Sequence, residues 1–426
     1  MSGQLHPASY YAATANPAPD RQALNAAIDV DVCVIGAGLT GCSTALNLVE
    51  KGYSVAVLEA NRVGWGASGR SGGQMIFGYA CDMQKLENLV GPQDARLLWD
   101  VSVEALNYSR SLIDRFDIQC DLKSGHLHAA VKPRHQRTLE SWQQELEKDY
   151  GYTGLQLLDR EALGTLLQTD AYAGGLLDPN SAHLHPLNYT LGLAAAAESA
   201  GAVIYENSAA ERIEYDARPT VTTASGRVRC KYLVFCGNAY LGGVENSLRK
   251  KTMPVGTYII ATEPLGEQRA RALIANDMAV ADMNFVLDYF RLSADHRLLF
   301  GGRVSYSTVA PLNLSRAMRP RMLKIFPQLG EVKIDYSWGG FVSITANRAP
   351  HFGRLRDNVY FAQGFSGHGI ALTGMAGKLM ADAIAGTAEK FDVFTRIPHL
   401  SFPGGPLFRT PALMLAMTWY RLRDLL

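Results

Sequence analysis

The sequence predicts an α/β fold in two units, one built on a parallel sheet and the other mainly antiparallel. Three observations predict it. A strand, a glycine turn, a helix and a second strand follow one another within about 30 residues near the start; alternating helix and strand return after residue 185; and short strands dominate 253–338. At 426 residues and roughly 150 per typical domain, the length suits about three compact units, or two of which one is discontinuous.

The elements follow in order. After a Tyr-rich, Pro-containing lead-in, residues 31–35 form a β-branched run of the kind buried on both faces. Leu39, Cys42, Leu46 and Val49 then recur at helical spacing, Gly52 closes that helix, and 54–58 gives a second strand ending at Glu59. Helical periodicity around 95–116 and 134–148 marks an inserted cap. An alanine-rich helix at 187–200, strands at 202–205, 212–215, 220–223 and 232–236, and strands at 258–263, 285–292 and 297–300 follow, with one helix around 314–326. A strand at 358–363, a glycine turn and a helix at 370–385 complete the pattern.

Basic residues number 41 and acidic ones 40, and this balance excludes nucleic acid or an anionic bilayer as the main partner. The 47% hydrophobic content excludes a disordered chain. The first 29 residues lack the basic start and apolar run of a secretory signal. The apolar stretch 411–420 is about half the roughly 20 residues that cross a bilayer, so it reads as a packing helix. Six cysteines with no CxxC pair read as reduced thiols, and a cytoplasmic location is expected. No spacing among His183, His185 and His351 resembles a metal-ligand set, so no metal is expected.

Gly36-Ala37-Gly38-Leu39-Thr40-Gly41 sits directly after a strand and opens a helix, with Glu59 at the end of the next strand. In that context Gly36 makes the tight turn, Gly38 lets the backbone approach a pyrophosphate, Gly41 lets helix and strand pack closely, and Glu59 can accept from the ribose hydroxyls. This Rossmann fingerprint is shared by NAD and FAD. Gly66-Ala67-Ser68-Gly69-Arg70-Ser71-Gly72-Gly73-Gln74 adds amides and hydroxyls suited to a large planar cofactor that stays put. Gly364-Phe365-Ser366-Gly367-His368-Gly369-Ile370 leads into a second helix N-terminus, which would stabilise negative charge developing on a reduced flavin. Two such turns at opposite ends of the chain favour FAD.

Together these motifs resemble the D-amino-acid oxidase and sarcosine oxidase family of FAD-dependent oxidoreductases. Ser9-Tyr-Tyr-Ala, His183-Leu-His-Pro, Gly237-Asn-Ala-Tyr, Leu287-Asp-Tyr-Phe-Arg-Leu292 and Arg348-Ala-Pro-His are more specifically similar to its bacterial gamma-glutamylputrescine oxidase subgroup. The resemblance implies oxidation of an amine: hydride leaves the carbon beside the nitrogen, the imine hydrolyses to aldehyde and ammonia, and oxygen is reduced to peroxide. It also implies non-covalent FAD, contacts to it from Ala60, Ala210, Cys236, Gly237, Asn238 and Arg348, and no protein base.

The expected division is an FAD unit of 25–85, 185–245 and 340–395, a substrate unit of 86–184 and 246–339, and a tail of 396–426. Tyr258, Tyr289, Phe290, Arg291, Arg303 and His368 are expected to line the substrate pocket. Relatives carry arginines that clamp a substrate α-carboxylate where this chain has Gln74 and Phe77, and a lysine after the second turn where it has Ala371. A buried carboxylate without a partner is costly, so the substrate's carboxylate is expected to be remote from its amine. The oxygen-activating lysine of relatives falls near Leu299, which leaves another electron acceptor open. The rival readings are a flavin dehydrogenase of another amine or amino acid and a flavin-binding protein without turnover.

Overall fold

The computed structural model describes residues 5–302 and 313–402. The expected pocket residue Arg303, the helix expected at 411–420 and most of the tail lie outside the described residues.

The first sheet has eight strands. Its main path runs His351–Arg356, Val359–Gln363, Arg227–Phe235, Ala27–Ile35, Val55–Leu58 and Val203–Tyr205. All of these pairings are parallel except that of the first two strands. The register is what places the site. Ile35 pairs with both Leu58 and Phe235, and Phe235 with Phe361, so these strands end along one edge. Ligands of open α/β sheets sit at that carboxyl edge.

Helices Leu39–Glu50 and Ile370–Ile384 lie together against this sheet and are apolar nearly all round, as elements buried on more than one side must be. Their approach depends on small residues. A Cβ on Gly377 would stand 2.6 Å from the Thr44 amide nitrogen, and the Ser43 hydroxyl donates to the Gly374 carbonyl at 2.7 Å. The long helix Pro92–Arg115 also packs on Ile370–Ile384, so this part of the 86–184 stretch, expected in the substrate unit, rests on the first one.

The second sheet has nine strands, in the order Ile334–Thr345, Thr252–Thr262, Leu298–Gly302, Tyr289–Leu292, Ala279–Asp282, Lys123–Ala130, Gly174–His183 and Gln74–Met75, with Gln156–Leu158 added at the side. Its two faces bury different cores. Ile259, Ala261, Leu299 and Trp338 join the core shared with the first sheet, whereas Ile260, Phe300, Met318 and Met322 form a separate core under helix Leu314–Ile325. Strand Ile334–Thr345 and the short strand Gln74–Met75 carry the second sheet across the expected boundaries at 340 and 85. The strand expected at 285–292 is shorter, Tyr289–Leu292.

Replacing Gly377 by Val drives side-chain atoms into the backbone of the facing helix. The expected loss of stability is about 1–3 kcal/mol, as for other overpacked cores, read as a lower denaturant midpoint with an unchanged slope.

Candidate active site

The carboxyl ends of the parallel strands open into a cavity of 590 Å³ lined from both sheets. Gly36 follows the first strand at φ 104°, a backbone conformation that glycine adopts without strain. A Cβ there would meet the Cys236 carbonyl at 3.1 Å, and a Cβ on Gly41 would lie 1.8 Å from the Gly36 oxygen. Neither position admits a side chain. The Ser68 hydroxyl accepts from the Leu39 amide at 3.0 Å, so the turn from the second glycine loop sits on the N-terminus of the first helix.

Glu59 Oε2 accepts from the Ala37 amide at 2.8 Å and Oε1 from the Asn61 amide at 2.9 Å. Each oxygen keeps lone pairs for further donors, as a ribose diol requires. Burial raises its pKa, and the amide bonds oppose the rise. Cys236 lines the same end, and burial pushes its thiol up to about 12, so it stays unionised at neutral pH.

The second helix N-terminus faces the same space. Gly364, Ser366 and Gly367 take φ of 72°, 54° and 105°. The Gly364 amide donates to the Asn238 side chain at 3.0 Å, and the Ser366 hydroxyl donates to the Gly364 carbonyl at 3.1 Å. Asn238, Arg348 and Ser366, three non-glycine residues with positive φ, all line the cavity. Backbone held in sparsely populated regions gathers at functional sites.

Beyond these turns the cavity wall is the second sheet. His126 and His128 project from alternate positions of strand Lys123–Ala130, with ring centroids 4.6 Å apart, and His126 Nε2 lies 3.3 Å from the Gln74 side-chain oxygen. Burial lowers all three cavity histidines. His126 falls well below its ordinary value and His128 to about 4, while His368 falls to about 3 with help from Arg348. They face the cavity as uncharged imidazoles. Ser71 Oγ and the Nδ1 atoms of His126 and His368 are buried without a protein partner, as expected of groups that meet a bound molecule.

Of the residues expected to hold the cofactor, Gly36, Gly38, Leu39, Thr40, Glu59, Ala60, Gly66, Ala67, Ser68, Ser71 to Gln74, Ala210, Cys236 to Asn238, Arg348 and Phe365 to Ile370 line this cavity. Ala37, Gly41, Gly69 and Arg70 stand behind the lining. Of the expected pocket residues, Tyr289 and His368 line it.

Three corrections follow. Tyr258 and Phe290 point to the opposite face of the sheet, into the core with Ile260 and Phe300, because their strand partners place them one residue out of phase with Tyr289. Arg291 is buried behind the lining, donating to the carbonyls of Gly72 and Leu184. Sequence reasoning missed His126, His128, Tyr240, Thr257, Asp282 and Val342. A signal for the first two was present in Gly125-His-Leu-His128, polar residues at period two after a glycine.

The amides at two helix starts, the glycine cradles, Glu59 and the buried unpartnered polar atoms fit a flavin dinucleotide. The FAD dependent oxidoreductase family matches residues 31–383. The chain belongs to this family. It is 45% identical over 420 residues, covering 98% of both chains, to the gamma-glutamylputrescine oxidoreductase of Escherichia coli (strain K12). It is 34% identical to a probable oxidoreductase OrdL of Rhizobium meliloti (strain 1021) over 98% of this chain and 97% of that one. Its fold is similar to the glycine oxidase structure from Geobacillus kaustophilus, with a TM-score of 0.73 at 19% identity over 88% of this chain and all of that one. The protein is therefore an FAD-dependent oxidoreductase, and among the described residues no helix is long and apolar enough to cross a membrane.

Two outcomes test the site. Glu59→Gln removes the negative charge and turns one of the two acceptor oxygens into a donor, and the dissociation constant for FAD, measured by flavin fluorescence, rises roughly 10- to 100-fold, as for about 1.5–3 kcal/mol per charge-assisted hydrogen bond. The histidines give a pH dependence whose sign is fixed. The unfolded chain binds protons below about 6.5 while folded His128 and His368 do not until about 4 and 3, so stability falls as pH drops through that window. Replacing either histidine by Gln flattens the slope of unfolding free energy against pH there.

Proposed function

We propose that the chain oxidises gamma-glutamylputrescine at its free amine in putrescine breakdown, yielding gamma-glutamyl-aminobutyraldehyde, ammonia and hydrogen peroxide from amine, oxygen and water. What carries this reading is identity of 45% sustained over 98% of both chains to a gamma-glutamylputrescine oxidoreductase. The cavity agrees with it. Among the described residues that line it, Arg348 is the one cation, and Phe77 and Ala371, near the places where relatives bear charge, are buried in the apolar core behind the lining. A substrate whose carboxylate is remote from the reacting amine suits such walls.

FAD, held without a covalent bond, supplies the ring that takes up hydride. The two helix starts and the glycine turns bind and orient it, and His126, His128 and His368 offer uncharged nitrogens that can accept from an amine N–H without repelling it. The buried wall excludes water from the reacting carbon. Cys236, with its raised thiol, is not poised for covalent attachment. The proposed pocket residues are Tyr289, His126, His128 and His368.

One observation favours a second reading, transfer of the electrons to an acceptor other than oxygen. Leu299, near the place where oxidases of the family have an oxygen-activating lysine, is buried and apolar.

Anaerobic addition of gamma-glutamylputrescine to the yellow protein is expected to bleach the flavin within the mixing time of a stopped-flow instrument or soon after. A spectrum unchanged by it, and by putrescine, spermidine and sarcosine, rejects amine oxidation. Peroxide formed under air at the rate of amine loss supports the oxidase reading, and turnover only with an artificial acceptor supports the second.

A further inference from the structure

The turn Arg70 to Gly73 presents Ser71, Gly72 and Gly73 to the cavity but belongs to no helix or strand, so its shape is imposed from its outer side. Three donors meet it there. The Trp338 indole donates to the Arg70 carbonyl at 3.0 Å, Arg291 Nε to the Gly72 carbonyl at 2.9 Å, and the Leu184 amide to the Gly73 carbonyl at 2.9 Å. The second guanidinium nitrogen of Arg291 bridges the Leu184 carbonyl, at 2.9 Å, and the Tyr11 hydroxyl, at 3.0 Å.

Tyr11 comes from the other end of the chain. It sits on the short helix Tyr10–Ala13, which Ser9 caps, and it is fully buried, edge-on to Trp338 at 5.2 Å and to His185 at 4.9 Å. Arg291 is 3% exposed, and no carboxylate among the described residues lies within ion-pair distance of it. A buried guanidinium satisfied by carbonyls, a phenol and the His183 ring, with no carboxylate, is an unusual choice for packing alone. Its planar fork suits holding several acceptors in fixed geometry, and its charge stands one peptide from the cavity lining.

We propose that Tyr11, Arg291 and Trp338 are positioning residues for the cofactor: they hold the Arg70–Gly73 turn in the shape that accepts FAD, which makes the N-terminal tyrosine segment a part of the active site. The claim concerns cofactor binding, so it stands or falls separately from the identity of the amine.

The test compares FAD affinity, apoprotein melting temperature and flavin midpoint potential in Y11F, W338F, R291K and R291M. Each lost bond should weaken FAD by roughly threefold to tenfold in Y11F and W338F, and more in R291M, with R291K recovering part of the loss. The Y11F apoprotein, which keeps its ring, should melt close to wild type, and W338F, which shrinks a core side chain, should melt lower by less than its loss of FAD affinity implies. The flavin in R291M should have a more negative potential, because a charge that favours the reduced anion is gone, and R291K should restore it. FAD affinities within twofold of wild type, or losses matched by an equal fall in apoprotein melting temperature, overturn the proposal. If R291M does not fold, Y11F, which lacks one oxygen atom, decides on the same criteria.

Discussion

The site depends on one constraint: the parallel strands must end in register, so that Gly36, Glu59, Cys236 and Gly364 emerge along a single edge. Two helices can then begin at that edge with their unpaired first-turn amides directed into one space. Each such end carries roughly half a positive charge. The remaining features of the site either permit this convergence or exploit it. The glycines permit it. Gly41 lies against the Gly36 carbonyl and Gly377 against the facing helix, so both helices come closer than side chains would allow.

The second sheet adds what the first lacks. Its cavity face carries imidazoles, an aromatic ring, aliphatic groups and the Asp282 carboxyl, which burial and then Asp288 push up to about 8, while its far face is an ordinary apolar core. The cavity is therefore rich in amides at one end and poor in charge at the other. A dinucleotide suits the first environment, and an amine that must lose its proton before it is oxidised suits the second. Burial keeps His126, His128 and His368 uncharged, so that they do not repel an amine entering as a cation.

The nucleotide end was legible in the sequence because its geometry is local. A glycine turn between a strand and a helix has few backbone solutions, and Gly36, Gly38, Gly41 and Glu59 all state that geometry within one βαβ unit. The substrate end was less legible because it depends on which face of a strand turns inward. Tyr258 and Phe290 have the chemistry of pocket residues, but register with Gly302 and Phe300 sends them to the other core. Arg291 has the right phase and yet is taken up by the Gly72 carbonyl, in a loop more than two hundred residues away, a contact no periodicity reveals. His126 and His128 were hidden for the converse reason: on an exposed strand the same alternation would mean nothing more than a wet face.

The central claim is that this edge holds one flavin dinucleotide. Titrating the apoprotein with FAD while following the visible spectrum tests it most directly. Saturation at one FAD per chain, with a shifted and structured flavin band and a dissociation constant weakened by Glu59→Gln, is the result the account predicts. A chain that stays colourless after gel filtration, or binds FAD equally well without the Glu59 carboxylate, contradicts it.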